Sequence, residues 1–75
     1  MTPEQCRAAR NWVDLTQQQL AEAAGTSLST VRDYEKDRRT PFANNLKAIQ
    51  AALEARGIGF IPGGITGPQM TKRPD

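Results

Sequence analysis

A stretch of twenty residues, Thr16 to Glu35, constrains the fold most strongly; it reads TQQQLAEAAGTSLSTVRDYE. It begins with a capping box, in which Thr16 and Gln19 each satisfy a free N–H group at the start of a helix. Gly25 follows about two turns later, and glycine readily adopts the left-handed conformation that ends a helix tightly. Ser27 then favours the start of a second helix. The segment therefore predicts two short helices joined by a tight turn, which makes them cross steeply.

The apolar residues of this stretch stand where two crossing helices would touch. Leu20 and Val31 are expected to meet in the crevice between them, and Ala21 is small where the helices should approach most closely. Tyr34 follows Val31 by three residues, so both are predicted to face inward on the second helix. Spacing and residue size together indicate a helix-turn-helix unit.

The N-terminal segment predicts a helix before this unit. Thr2 and Gln5 form another capping box around Pro3, a residue that suits the first helical position. The predicted inward residues are spaced three and four apart: Cys6, Ala9 and Val13. We expect this helix to end near Asp14.

A fourth helix is predicted after Thr40, because the residue before a proline is disfavoured in helical conformation. It runs from Pro41 or Phe42 to Arg56, and Gly57 ends it. Its apolar residues recur at spacings of four, three and four, which form a stripe expected to face the core: Phe42, Leu46, Ile49 and Leu53.

The last part of the chain predicts a short β element. Ile58 and Phe60 alternate with a glycine, as in a half-buried strand, and Gly63-Gly64 indicates a turn. Residues 65–72 are a candidate for a weak second strand. The predicted fold is therefore all-α, with a four-helix domain over residues 1–57 and a strand or hairpin within residues 58–75.

Composition argues against several function classes. The chain has no histidine, which removes the commonest metal ligand and acid–base catalyst. Its single cysteine, Cys6, excludes an internal disulfide and fits a reducing cytosol. No segment has the length and apolar character of a membrane span, and a signal-peptide pattern is absent. We therefore expect a cytoplasmic protein that is not an enzyme and has no metal, cofactor or small-molecule ligand.

Positive charge gathers around the second helix of the unit. Residues 26–40 carry four cations against three acids, whereas residues 1–25 carry two against three. The four cations are Arg32, Lys36, Arg38 and Arg39. A basic surface at this place favours an anionic partner, and a helical bundle that only kept the shape of the motif would not need it.

The same residues resemble a known family. Residues 3–56 resemble the phage-repressor and Cro-like helix-turn-helix regulators, the XRE family. Ten positions agree in order without a gap: Gln17, Leu20, Ala21, Ala24, Gly25, Ser27, Thr30, Val31, Tyr34 and Glu35. In that family the second helix of the motif lies in the major groove of DNA. The resemblance therefore implies a phage-repressor-like domain with its recognition helix at about residues 27–37.

The resemblance also implies roles for single residues. In the family a glutamine that begins the first motif helix binds a phosphate, and Gln17 stands there. An arginine late in the first helix pairs with a glutamate at the end of the recognition helix, and Arg10 and Glu35 stand there as a structural pair. The loop after the recognition helix contacts the DNA backbone, and its matching residues are Arg38, Arg39 and Thr40.

Helix geometry indicates which side chains would reach the bases. With Val31 and Tyr34 inward, the outward residues are Leu28, Ser29, Arg32 and Asp33. Arg32 can make a bidentate contact with guanine, worth about 1–3 kcal/mol of discrimination. Leu28 suits a thymine methyl group or packs on the preceding helix, and Asp33 either accepts from cytosine or orients Arg32. Further phosphate contacts are expected near the starts of the third and fourth helices, from Thr26, Ser27, Asn44 and Asn45.

These observations predict a sequence-specific regulator of transcription that binds double-stranded DNA, more specifically a repressor. A palindromic operator with half-sites about 34 Å apart would be bound by a homodimer. The segment GIGFIP resembles the tail of short members of the family, and an isolated hairpin is marginal in water. We therefore expect Ile58, Phe60 and Ile61 to form the dimer contact.

Two alternatives remain open from the sequence. The protein could be an antitoxin, which binds a toxin protein through the tail after Pro62 and represses its own operon with the same motif. Trp12 could fill the core, pack on the C-terminal segment, or contact a dimer partner.

Overall fold

The structure, a computed structural model, describes residues 1–68. In this part of the chain, four helices are followed by a two-stranded antiparallel hairpin. Their bounds are α1 Pro3–Trp12, α2 Gln17–Ala24, α3 Leu28–Glu35, α4 Ala43–Glu54, β1 Gly59–Ile61 and β2 Gly64–Thr66. The predicted all-α helix-turn-helix fold with a small β hairpin is confirmed.

The predicted capping residues begin the first three helices. Thr2 Oγ1 accepts from the Gln5 N–H at 3.1 Å, and the Gln5 side chain accepts from the Thr2 N–H at 2.8 Å. Thr16 and Gln19 form the same box at 3.0 and 2.9 Å. Ser27 caps α3 through its hydroxyl group. These bonds satisfy N–H groups that a helix start otherwise leaves free, so the helices begin where the sequence indicates.

One core joins the four helices and the residue that precedes the hairpin. Its buried apolar side chains are Cys6, Ala9, Leu20, Ala21, Val31, Tyr34, Ile49, Ala52, Leu53 and Ile58. α2 packs against α3 and α4, and α1 packs against α3. Gly25 turns the chain between α2 and α3 with a φ of +70°, a backbone conformation in which glycine has no steric cost.

The prediction that Phe42 faces the core is wrong. Phe42 is the residue before α4, with an extended ψ of 153°, and it is 82% exposed. Because the helix begins only at Ala43, the side chain of Phe42 does not continue the stripe that its spacing suggests. The buried face of α4 consists instead of Ile49, Ala52 and Leu53, with Leu46 packed at its edge.

Three helix ends are also earlier than predicted. α1 ends at Trp12 rather than near Asp14, α3 ends at Glu35 rather than near Asp37, and α4 ends at Glu54 rather than at Arg56. Both aspartates have a φ of +59°, the left-handed conformation in which a helix cannot continue.

The hairpin begins directly after the core. β1 and β2 are joined by Pro62 and Gly63, and the φ of +73° at Gly63 suits a tight turn. β2 begins at Gly64, one residue earlier than expected, and residues 69–72 of the predicted second strand lie outside the described residues. Ile58 is buried within its own chain, which corrects its prediction as a dimer contact: it supports the hairpin from inside.

Two side chains of α1 hold the hairpin and the segment behind it. Gln5 Nε2 donates to the carbonyl oxygens of Ile61 and Gly64, at 2.7 Å each. Trp12 Nε1 donates to the carbonyl oxygen of Pro68 at 2.9 Å. Trp12 therefore packs on the C-terminal segment, one of the three roles that the sequence left open.

Gly67 offers a test of this packing. A Cβ at Gly67 would lie 2.8 Å from Trp12 Cε2 and 3.1 Å from Ile58 Cδ1. We expect Gly67→Ala to lower the free energy of unfolding by about 1–3 kcal/mol, because overpacking displaces neighbouring side chains. Urea denaturation measures this. The control is Gly64→Ala, whose Cβ would meet Ile61 at an ordinary 3.6 Å, and equal losses in both variants would contradict the expectation.

Candidate nucleic-acid interface

α3 has one face in the core and one in solvent. Val31 and Tyr34 are buried, and the hydroxyl of Tyr34 donates to the Met1 carbonyl oxygen at 2.9 Å. The predicted base-contacting residues lie on the other side: Leu28, Ser29 and Arg32 are exposed and Asp33 is half-buried. The helix therefore offers a polar outer face with one aliphatic residue at its start.

Arg32 is accessible at the middle of this face. Its side chain is 46% exposed, and its Nε lies 4.0 Å from Asp33 Oδ1. An exposed pair at that distance contributes at most about 1 kcal/mol, so the guanidinium can turn to another acceptor at little cost. The contact is compatible with Asp33 as a residue that orients Arg32.

Hydroxyl groups surround the start of α3. Ser27 Oγ lies 3.1 Å from Ser29 Oγ and 2.8 Å from Thr30 Oγ1. The adjacent Thr26 is half-buried, and its N–H donates to the Ala21 carbonyl oxygen at 2.9 Å. This end of α3 combines hydroxyl donors with the positive end of a helix dipole, which suits a phosphate.

The loop after α3 lies beside that helix because two hydrogen bonds turn its backbone directly after the helix ends. The N–H of Asp37 donates to the Tyr34 carbonyl oxygen at 2.9 Å, and the N–H of Arg38 donates to that of Asp33 at 2.8 Å. The three loop residues predicted to contact the DNA backbone follow and are all exposed: Arg38, Arg39 and Thr40. Asn44 is exposed and Asn45 is half-buried at the start of α4.

A groove of about 300 Å³ separates α3 from this loop. Ser29 and Asp33 line it from α3, Arg39 and Thr40 from the loop, and Asn45 from α4. The structure therefore brings together, around one groove, residues predicted to contact bases and residues predicted to contact phosphates.

A buried carboxylate fixes the far end of α3. Glu35 is 1% exposed, and its Oε2 and Oε1 accept from Arg10 Nε at 2.8 Å and from Arg10 Nη2 at 3.0 Å. Gln17 Nε2 donates to Oε1 at 3.1 Å, and Cys6 Sγ lies 3.5 Å from Oε2. Arg10 also donates to the Leu15 carbonyl oxygen at 2.9 Å. The arginine–glutamate pair thus ties α1 to α3 with two parallel hydrogen bonds.

Two side chains have roles that sequence reasoning missed. Gln17, to which the resemblance assigns a phosphate, is half-buried with its amide nitrogen on Glu35. Arg7 Nη1 donates to the backbone carbonyl oxygen of Glu35, at the C-terminal end of α3. The available signal for Arg7 is its spacing of three from Arg10, which places both on one face of α1.

The comparison with known proteins agrees with this geometry. A family model described as Helix-turn-helix matches residues 7–58. The chain belongs to the XRE-type helix-turn-helix family. The match contains α2, α3 and α4 entire, and it identifies the protein as a DNA-binding regulator. No match is found among curated proteins.

Within residues 1–68, acidic, cysteine and histidine side chains do not gather in a group of three or more that could hold a metal ion. None of the helices described is both long and apolar enough to cross a membrane.

Burial and hydrogen bonding act in opposite directions on Glu35. Burial raises the pKa of the carboxyl group, but the hydrogen bonds from Arg10 and Gln17 outweigh it and hold the pKa below its usual value. Burial and the charge of Glu35 raise the pKa of Cys6 to about 12, so the thiol stays neutral. The site therefore holds a carboxylate rather than a carboxylic acid at neutral pH.

The lowered pKa of Glu35 makes folding stability depend on acid pH. The ionised group stabilises the fold above its unfolded pKa, about 4.5, and this contribution is lost as the pH falls through the lower folded pKa. We expect the free energy of unfolding, measured in urea from pH 7 to 3, to fall less steeply below pH 4.5 in the double variant Arg10→Met, Glu35→Leu. The exposed control Glu54→Gln should keep the wild-type slope; a wild-type slope in the double variant would contradict this role of Glu35.

Proposed function

We propose that this helix-turn-helix protein is a repressor that inserts α3 into the major groove of a specific DNA operator. The observation that carries the proposal is the exposed face of α3, on a helix whose other face is anchored in the core. A helix about 10–12 Å across fits a major groove about 12 Å wide. The proposal places the protein on DNA in the cytoplasm.

The base contacts in this proposal follow from side-chain chemistry. Arg32 donates two hydrogen bonds to O6 and N7 of a guanine, which is the commonest specific contact. Leu28 packs against a thymine methyl group, and Ser29 donates to or accepts from a neighbouring base. Asp33 accepts from a cytosine amino group or holds Arg32 in place.

The phosphate contacts flank α3 at both ends. Hydroxyl, amide and guanidinium groups are the usual donors to phosphate oxygens, and such contacts fix the register of a protein on DNA without reading sequence. The residues proposed for this role are Gln17, Thr26, Ser27, Arg38, Arg39, Thr40, Asn44 and Asn45. For Gln17, the hydrogen bond to Glu35 leaves its amide oxygen and its backbone N–H as the candidate contacts.

We expect substitutions of Arg32 and of Arg38 to change DNA binding in different ways. Arg32→Ala should reduce the preference for the operator over random DNA by about 1–3 kcal/mol. Arg38→Ala should weaken binding to the operator and to random DNA equally, and it should lower the slope of log affinity against log salt concentration by about one.

The measurement is fluorescence anisotropy at several salt concentrations, on an operator selected from a random pool. Arg56→Ala is the matched control, because it removes one charge at the opposite end of α4 from the loop. Equal loss of preference in the Arg32 and Arg38 variants, or no selected operator, would contradict the proposal.

We further propose that two copies bind a palindromic operator and meet at the hairpin. A chain of this size buries only roughly 60% of its unfolded surface, so a second copy adds apolar burial that the protomer lacks. Ile61 is 48% exposed and Phe60 is half-buried, so these two residues are the proposed contact.

A charge at Ile61 tests the dimer. We expect Ile61→Lys to shift a wild-type dimer to monomer in sedimentation velocity, because two like charges would meet across the two-fold axis. Operator affinity should fall with it, while Gln18→Lys on α2 should leave the dimer intact. A dimer that survives Ile61→Lys would rule out the hairpin as the interface.

The antitoxin alternative needs a free docking tail after Pro62. Residues 64–66 pair in β2, and the Pro68 carbonyl oxygen bonds Trp12, so this part of the tail is engaged within its own chain. This favours the repressor. Co-purification with a toxin protein would favour the antitoxin.

A further inference from the structure

Phe42 forms part of the wall of the groove between α3 and the α3–α4 loop. We propose that its ring contacts DNA, packing against a deoxyribose of the strand that borders the major groove. The inference rests on the proposed function, since it requires α3 to lie in that groove.

The position of Phe42 relative to α3 selects the backbone rather than the bases. An α-helix is nearly as wide as the DNA major groove and fills it, so a protein residue beside the helix meets the sugar–phosphate strand at the edge of the major groove. Phe42 is such a residue, because it lines the protein groove together with Ser29 and Asp33 of α3.

The neighbours of Phe42 have the chemistry of a backbone site. Arg39 supplies a guanidinium, Thr40 a hydroxyl and Asn45 an amide to the same groove, and all three are common donors to phosphate oxygens. A ring beside these donors offers an apolar surface to the carbon face of the sugar between two phosphates. Three donor residues and an apolar ring therefore line this groove, with the Asp33 carboxylate on its α3 side. A nucleotide unit of a DNA strand would meet the donors with its phosphates and the ring with its sugar.

The fold itself gives no reason for an aromatic residue here. Phe42 is the N-cap of α4, a position where Ser, Thr, Asp and Asn are favoured because their side chains accept a backbone hydrogen bond. The Phe42 side chain makes no such bond, Asn44 Oδ1 accepts from the Asn45 N–H at 3.0 Å instead, and the Phe42 ring is 82% exposed. A residue that neither caps the helix nor fills the core is best explained by a contact made outside the chain.

The test compares F42A and F42Y with wild type on the selected operator and on random duplex DNA. Losing the contact between the ring and the sugar should weaken the binding of F42A about tenfold on both DNAs, or about 1.4 kcal/mol. The salt slope should stay unchanged, because a ring releases no counterion. F42Y keeps the ring and should bind like wild type, and Arg39→Ala should lower the salt slope by about one. The thermal midpoint of F42A should equal that of wild type, since the side chain is exposed.

Three results would overturn the contact with deoxyribose. F42A could bind as tightly as wild type. The loss of affinity in F42A could vanish on an operator with deoxyuridine in place of thymidine, which would assign the ring to a thymine methyl group. F42A could be monomeric where wild type is dimeric, which would assign the ring to a second copy of the chain. If wild type binds no duplex DNA, the proposed function fails as well, whereas the first result alone leaves it standing.

Discussion

The hydrogen-bonded ion pair between Arg10 and Glu35 fixes the position of α3 against α1. Glu35 is the last residue of α3 and Arg10 lies in the last turn of α1, so the pair joins the two helices at one end of each. Removing one partner of such a buried pair costs about 3–5 kcal/mol, against about 5–15 kcal/mol for the whole stability of a typical domain. Cys6, Gln17 and Arg7 add bonds to the same glutamate. The orientation of α3 therefore depends on polar contacts as well as on apolar packing.

Local chemistry explains which parts of the fold could be predicted from the sequence. Capping boxes act between residues three apart, so Thr2 and Thr16 reveal helix starts without knowledge of the rest of the chain. The stripe on α4 is local too, but spacing alone does not say where a helix begins, and it therefore assigns Phe42 to the core wrongly. The two bonds from Gln5 to the hairpin join residues 56 and 59 positions apart, and the sequence carries no local signal for them.

The candidate site also has one part that could be predicted from the sequence and one part that could not. Which residues of α3 point outward follows from helical periodicity once Val31 and Tyr34 are taken as inward. The groove beside α3 could not be predicted, because it depends on how the chain leaves α3 through the left-handed Asp37 and on the exposure of Phe42. Gln17 shows a further limit: the resemblance assigns its side chain to an external ligand, but its amide nitrogen is used inside the protein.

α1 contacts both elements to which a function is proposed: α3, for DNA binding, and the hairpin, for dimerisation. One of its faces holds α3 through Arg10, and its two ends hold the C-terminal segment through Gln5 and Trp12. If two copies join at their hairpins, α1 connects the hairpin to α3 in each copy without a flexible linker. α1 has ten residues and is about 15 Å long. Such a dimer would hold its two copies of α3 at a fixed distance, and it would tolerate little change in the spacing of the half-sites, such as one inserted base pair.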